Sequence, residues 1–232
     1  MTTTDLDTHS TGRSALLLGA TGLVGSHCLR LLLEDPGYSR VRVLVRRPFP
    51  TRHAKLEAHQ VDFDALEGRA ELFAVDDVYC CLGTTMAHAG SEVAFRRVDH
   101  DYPVQAAALA VAQGAEQYLL VSAVGADPQS RIFYNRVKGE AEAAVKRFPF
   151  SAVWVLRPSL LLGERTELRV GERLASAVSR PLSALLVGRF RRYRPILAED
   201  VARAMVRLAH EHGTGGVIES DEIARLAEGA AA

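Results

Sequence analysis

The stretch GATGLVG, residues 19–25, continues the apolar run ALLLG and leads into SHCLRLLLED. A run of that length suits a strand buried on both faces. SHCLRLLLED reads as a helix stopped before Pro36 and Gly37. Glycines at 19, 22 and 25, between strand and helix, have the context of a phosphate-binding turn. Gly19 suits the tight turn, Gly22 a close backbone approach to a phosphate oxygen, and Gly25 close helix–strand packing. The first N–H groups of the helix then face a pyrophosphate. Glycines also serve ordinary turns, but this combination points to a dinucleotide site.

The rest of the chain repeats the strand–helix rhythm. VRVLVRR (41–47), a short run at 59–63, VDDVYCCLG (75–83), QYLLVSAVG and SAVWVLRPS read as further strands. Helical segments between them imply crossovers, and hence an α/β fold with a doubly wound parallel sheet. After Pro158 the rhythm changes. The expected organisation is an N-terminal arm (1–12), a dinucleotide-binding domain (13–158) and a small C-terminal lobe (159–232) over the carboxyl edge of the sheet. Within the lobe, 168–188 reads as helical, with Leu174, Val178, Leu182, Leu185 and Leu186 as core candidates. FRRYRPI reads as extended, and AEDVARAMVRLAHEHG as a helix with Val201, Met205 and Leu208 on one stripe. GGVIESDEIARLAEG closes the chain as a strand and a helix.

The second strand should end beside the adenosine ribose. An acidic residue there favours NAD(H), but the sequence offers Arg46 and Arg47, whose forked guanidinium groups suit a 2′-phosphate. NADP(H) is therefore the preferred cofactor and NAD(H) the other candidate, with a solvated arginine pair as the plain alternative. Asp62 could meet the adenine edge or serve as an ordinary loop carboxylate.

Tyr134 and Lys138 stand at i and i+4 in FYNRVKGEAEAAV, on one helix face. A phenol is a weak acid or base near neutral pH, and a nearby ammonium favours its ionised form. Ser122 falls at the carboxyl end of the fifth strand, where the crevice of such a sheet opens. Its hydroxyl could donate to a substrate carbonyl while Tyr134 passes a proton. The three are the catalytic candidates, though a strand-end serine and a surface YxxxK are each common on their own.

Taken with LLVSAVGAD, YNRVK and VLRPSLLLG in this order, the chain resembles the short-chain dehydrogenase/reductases of the atypical or extended kind, over nearly its whole length. CLGTT and RRVDHDYP resemble more narrowly the Tat-interacting oxidoreductase-like proteins, which bind NADPH. The resemblance implies a Rossmann fold and a Ser122–Tyr134–Lys138 triad. It also implies Gly19, Thr21, Gly22, Leu23, Val24 and Gly25 around the phosphates, Gly83 and Thr84 along the cofactor, and Pro158, Ser159 and Leu160 near the nicotinamide. One departure concerns a family asparagine, in whose place the sequence has Asp99 and His100. Asp99 could orient Lys138, or it could cap the helix that starts near Pro103.

The expected function is an NADP(H)-dependent oxidoreductase acting on a small carbonyl or alcohol. The other reading is an NADPH-binding regulatory module with little turnover, since those relatives are also linked to signalling and protein contacts. A homodimer or a protein partner fits either. The balance of 28 basic and 28 acidic residues gives no global attraction for nucleic acid. The arginines at 189, 191, 192 and 194 are too short a patch, without a binding module, to change that. No metal is expected, because the histidines at 53, 59, 88 and 100 lack ligand spacing. No run is long enough to span a bilayer. Three cysteines without CxxC, and a first twelve residues without an apolar core, suggest a reducing compartment and a cytoplasmic location.

Overall fold

The computed structural model describes residues 12–163, 187–211 and 213–229. Most of the expected arm and the 168–188 helix, with its five apolar candidates, lie outside the described residues. Seven parallel strands form one sheet in the order β3-β2-β1-β4-β5-β6-β9. They are β1 (Arg13–Leu18), β2 (Tyr38–Val45), β3 (Leu56–Gln60), β4 (Asp77–Cys80), β5 (Gln117–Val121), β6 (Ala152–Arg157) and β9 (Gly215–Glu219). The chain winds outward from β1 to β3, then returns to lay β4 on the other side of β1. That reversal opens a crevice at the carboxyl ends of β1 and β4, where ligands of such sheets bind.

Alternation along the strands divides the core in two. Leu17, Tyr79, Leu119 and Val121 face one layer, which contains α1 (Leu23–Glu34) and the helix Ala198–His210. Leu16, Leu18, Cys80 and Leu120 face the other. That second layer holds the 3₁₀ segment Phe63–Phe73, α4 (Tyr102–Ala112) and α5 (Phe133–Val145). Between β4 and α4 come two short helices, α2 (Met86–Ala89) and α3 (Glu92–Arg96), and a single π-turn, Arg97–Asp101. At the opposite, amino end of the sheet, Asp77 is fully buried and accepts from the Arg13 guanidinium at 2.7 and 2.8 Å and from Tyr38 Oη at 2.7 Å, tying β1, β2 and β4 together.

Three expectations need correction. The third strand lies at 56–60, not 59–63, because Val61 and Phe63 turn into the core while Asp62 caps the 3₁₀ segment. The C-terminal part is not a lobe set apart from the sheet. β9 pairs with β6 as the seventh strand, and the helix Ala198–His210 (α6) packs on α1 with Val201, Met205 and Leu208 buried. Outside the main sheet, β7 (Leu161–Leu162) and β8 (Ile196–Leu197) form a two-residue parallel pair. Finally, FRRYRPI is not extended. Gly188–Tyr193 form a 3₁₀ turn in which exposed Arg192 stacks 5.1 Å from the Tyr193 ring centroid. α7 (Ser220–Glu228) ends the described fold. Among the described residues no helix is long and apolar enough to cross a membrane.

Candidate active site

The glycine turn closes as a cradle at the crevice. Gly19 has φ +83°, and a Cβ there would stand 2.6 Å from the Cys81 carbonyl oxygen. The Gly22 N–H donates to the Gly19 oxygen at 2.9 Å. A Cβ on Gly25 would stand 2.0 Å from that same oxygen, so only glycine lets α1 approach β1 this closely. Gly22 stands at the N-cap of α1, and no side chain caps the helix. The first-turn N–H groups are therefore available to an anion. Thr21 and Gly22 are exposed and Leu23 is half-buried. Val24 is a core residue on the α1 side, so only its backbone can face a ligand. A backbone cradle that any side chain would fill, beneath an uncapped helix end, fits a dinucleotide pyrophosphate.

Arg46 and Arg47 follow the last residue of β2 and are exposed, and no carboxylate of the described residues engages either guanidinium. Asp62 is also exposed. Its Oδ1 accepts from the Asp64 N–H at 2.9 Å, capping the 3₁₀ segment as an ordinary loop carboxylate does.

The Tyr–Lys pair lies on α5 as its spacing predicts. Lys138 is buried, and its Nζ is 2.8 Å from Asp99 Oδ1. Asp99 Oδ2 accepts from the Thr84 N–H at 2.8 Å. Burial pulls the lysine toward losing its proton, but the charges of Asp99 and Tyr134 and the hydrogen bond to Asp99 outweigh it. The Lys138 pKa lies above the ordinary lysine value. Tyr134 is half-buried, and its ring meets the fully buried ring of Phe95 with centroids 5.5 Å apart. Asp99 does not cap α4: it sits inside the π-turn, and even Asp101, at the N-cap, makes no capping bond. Gly83 is exposed, and a Cβ on it would stand 3.5 Å from Asp99 Oδ1 and 3.7 Å from Lys138 Nζ. Gly83 and Thr84 thus connect the glycine cradle, through Cys81, to the lysine.

Ser122 is 5% exposed, and its hydroxyl donates to Glu142 Oε1 at 2.5 Å, so its proton is engaged within the fold. Val121 points to the α1 layer, so the next residue points to the α5 layer, where Glu142 lies one turn beyond Lys138. Glu142 also takes both arms of Arg157, at 2.9 and 2.6 Å, and Arg157 reaches Glu219 on β9 at 3.2 Å. The sequence reading missed Glu142 and Arg157. A signal was present, since Glu142 stands at i+4 from Lys138 on the inward face of the helix.

At the end of β6, Pro158 is buried and its carbonyl accepts from the Val124 N–H at 2.9 Å. The Ser159 hydroxyl bonds the Arg194 carbonyl, and its N–H donates to Ser220 Oγ at 3.1 Å. Leu160 is exposed. Ser159 therefore ties β6 to the segments that follow, and only Leu160 of the three offers a free side chain. Among the described residues no cluster could hold a metal ion.

The family model for the NAD dependent epimerase/dehydratase family matches residues 15–219. The rat protein named HTATIP2 is 40% identical over 167 residues, covering 70% of this chain and 69% of its own. Saccharomyces cerevisiae "Protein FMP52, mitochondrial" is 35% identical, covering 84% and 87%. The Eremothecium gossypii protein of the same name is 33% identical, covering 92% and 96%. Among solved structures, MoeE5 in complex with UDP-glucose and NAD has a TM-score of 0.65 at 17% identity, covering 94% of this chain and 82% of that one. UDP-glucose 4-epimerase of Thermotoga maritima, with UDP-glucose, gives 0.65 at 15%, covering 93% and 82%. These two likenesses concern the fold. The relatives named as mitochondrial overturn the expected cytoplasmic location. The polar first twelve residues are no guide to this location, because amphipathic transit peptides also have no continuous apolar run. A family model that covers residues 15–219 spans most of the chain: this chain belongs to the NAD-dependent epimerase/dehydratase family, within the extended short-chain dehydrogenase/reductase superfamily.

Proposed function

We propose that this chain is an NADP(H)-dependent oxidoreductase acting on a carbonyl or the corresponding alcohol. The observation that carries the reading is the pair on α5: Tyr134 half-buried, and Lys138 buried and charged at the mouth of the glycine cradle. When bound, the dinucleotide supplies or accepts a hydride at its nicotinamide ring. The backbone of Gly19, Thr21, Gly22, Leu23, Val24 and Gly25 holds its phosphates, with Gly83 and Thr84 along its length. Pro158 and Leu160 border the nicotinamide end. Tyr134 holds and passes the proton at its phenolic oxygen. Lys138, one turn along the same helix face, supplies a positive charge to the site.

Two exposed guanidinium groups after β2, which no carboxylate of the described residues engages, support the preference for a 2′-phosphate. Arg46→Ala is expected to raise the Kd for NADPH by about tenfold or more and to change that for NADH by less than about twofold, since a charge-assisted bond is worth ~1.5–3 kcal/mol. Titration of cofactor fluorescence checks this. Equal loss for both cofactors removes the 2′-phosphate assignment.

Ser122 reaches a substrate only by giving up Glu142. Ser122→Ala is therefore expected to cost turnover less than about tenfold, against the 10²–10³ typical of a lost oxyanion donor. It should also lower stability by about 1.5 kcal/mol, the value of a bond to a charged group. A loss of about a hundredfold in steady-state rate, with stability unchanged, would return Ser122 to the chemistry. The same Ser122–Glu142 bond favours the second reading, a nucleotide-responsive module with little turnover whose partner binds the NADPH-loaded form. NADPH oxidation against a panel of aldehydes and ketones, together with NADP⁺ reduction by alcohols and UDP-sugars, separates the two. Turnover of any member supports the enzyme. Partner capture that depends on NADPH, with no turnover, supports the module.

A further inference from the structure

We propose that Asp99 is the positioning residue for Lys138: its carboxylate, carried on a π-turn, fastens the ammonium of α5 to the loop that leaves β4. Asp99 is 1% exposed, and a buried carboxylate is tolerated only when paired or hydrogen-bonded. Here one oxygen meets Lys138 Nζ and the other the Thr84 N–H, each at 2.8 Å. Three elements distant in sequence are joined at one group: the loop after β4, the turn between α3 and α4, and α5. π-turns are rare and cluster at functional sites, because the extra residue re-aims a side chain. In this chain the re-aimed side chain is Asp99.

The clamp also preserves charge. The titratable groups facing Lys138 are Asp99 from the π-turn, Tyr134 from its own helix and Cys80 from β4. Burial pushes the Cys80 thiol up to about 11, so it is neutral near physiological pH. Neighbouring charges are engaged elsewhere: Glu142 with Arg157, Glu140 with Arg96 and His100 with Asp101. Among the described residues Asp99 is thus the carboxylate that meets this buried lysine. Its bearing on catalysis rests on the function proposed above, in which Lys138 supplies the positive charge of the site. The clamp itself rests on neither cofactor nor substrate.

The test is a titration of protein labelled with ¹³C-lysine, followed by NMR without cofactor or substrate. Only three lysines are present, Lys55, Lys138 and Lys146, so the signals are assignable and exposed Lys146 serves as an internal reference. In the unaltered protein Lys138 is expected to lose its proton at higher pH than Lys146. In Asp99→Asn the close carboxylate charge is gone while burial remains, and the Lys138 midpoint is expected to fall by about 1–3 pH units, the range for loss of a close opposite charge. A midpoint in Asp99→Asn equal to that of the unaltered protein overturns the proposal, even if stability falls. Should the variant fail to fold, a Lys138 midpoint below that of Lys146 in the unaltered protein overturns it equally. If no carbonyl is ever turned over, the proposed chemistry fails while this titration still decides the role of Asp99.

Discussion

Tyr134→Phe is expected to remove nearly all turnover, by about 10²–10⁴-fold, while the Kd for NADPH changes by less than about twofold. The substitution deletes one oxygen and keeps the ring, so the contact with Phe95 at 5.5 Å survives and the helix has no reason to move. The lost oxygen is the proton carrier, and among the described residues no hydrogen bond of the fold depends on it. Steady-state rates, with fluorescence titration of the same preparation, separate the two effects. A variant that keeps a tenth or more of the rate would show that another group moves the proton. A variant that loses NADPH affinity in step with rate would show the phenol to be a binding group only.

Gly25→Ala is expected to be the most damaging substitution at the nucleotide end. The added methyl would stand 2.0 Å from the Gly19 oxygen and 2.7 Å from its carbonyl carbon, both backbone atoms with no rotamer to escape into. α1 must therefore shift away from β1 and carry its first-turn N–H groups out of line. Overpacking of this kind typically costs 1–3 kcal/mol. A strain of about 2.7 kcal/mol felt mainly in the binding-competent turn corresponds to roughly a hundredfold loss of dinucleotide affinity. Gly22→Ala supplies the contrast within the same experiment. Its methyl would meet the Gly19 oxygen at 3.2 Å, which small adjustments relieve, so its loss should be much smaller. Unchanged NADPH affinity in Gly25→Ala would mean that the phosphates are held elsewhere.

The parts of this fold that are local in sequence were the parts that could be read. Three glycines at fixed spacing, and a tyrosine four residues before a lysine, carry their geometry within one turn and one helix. The long-range pairings could not be read the same way. Asp99 stands 39 residues before Lys138, and only the fold brings the carboxylate to the ammonium. For Ser122 the residue was legible but its partner was not. Strand parity sends its side chain toward α5, but the partner it meets there, Glu142, is set by the packing of that helix and not by the strand. β3 was misplaced because LEAHQ is a polar edge strand, whereas Val61 and Phe63 supply the apolar signal from the connection that follows. β9 read correctly as a strand but not as part of the main sheet, since GGVIE does not reveal its partner. The arginine run alternated like a strand yet folds as a 3₁₀ turn, because its side chains are mostly exposed and no buried face enforces the period.

A crystal structure of the NADPH complex tests the central claim most directly, through the position of the Tyr134 oxygen relative to the nicotinamide ring. The account predicts that the phosphates lie on the 19–25 turn and that Tyr134 Oη faces the reactive side of the ring, leaving an oxygen bound above it within about 2.6–3.2 Å. A ring bound away from α5, or a phenol turned from it with protein filling the space between, would contradict the account.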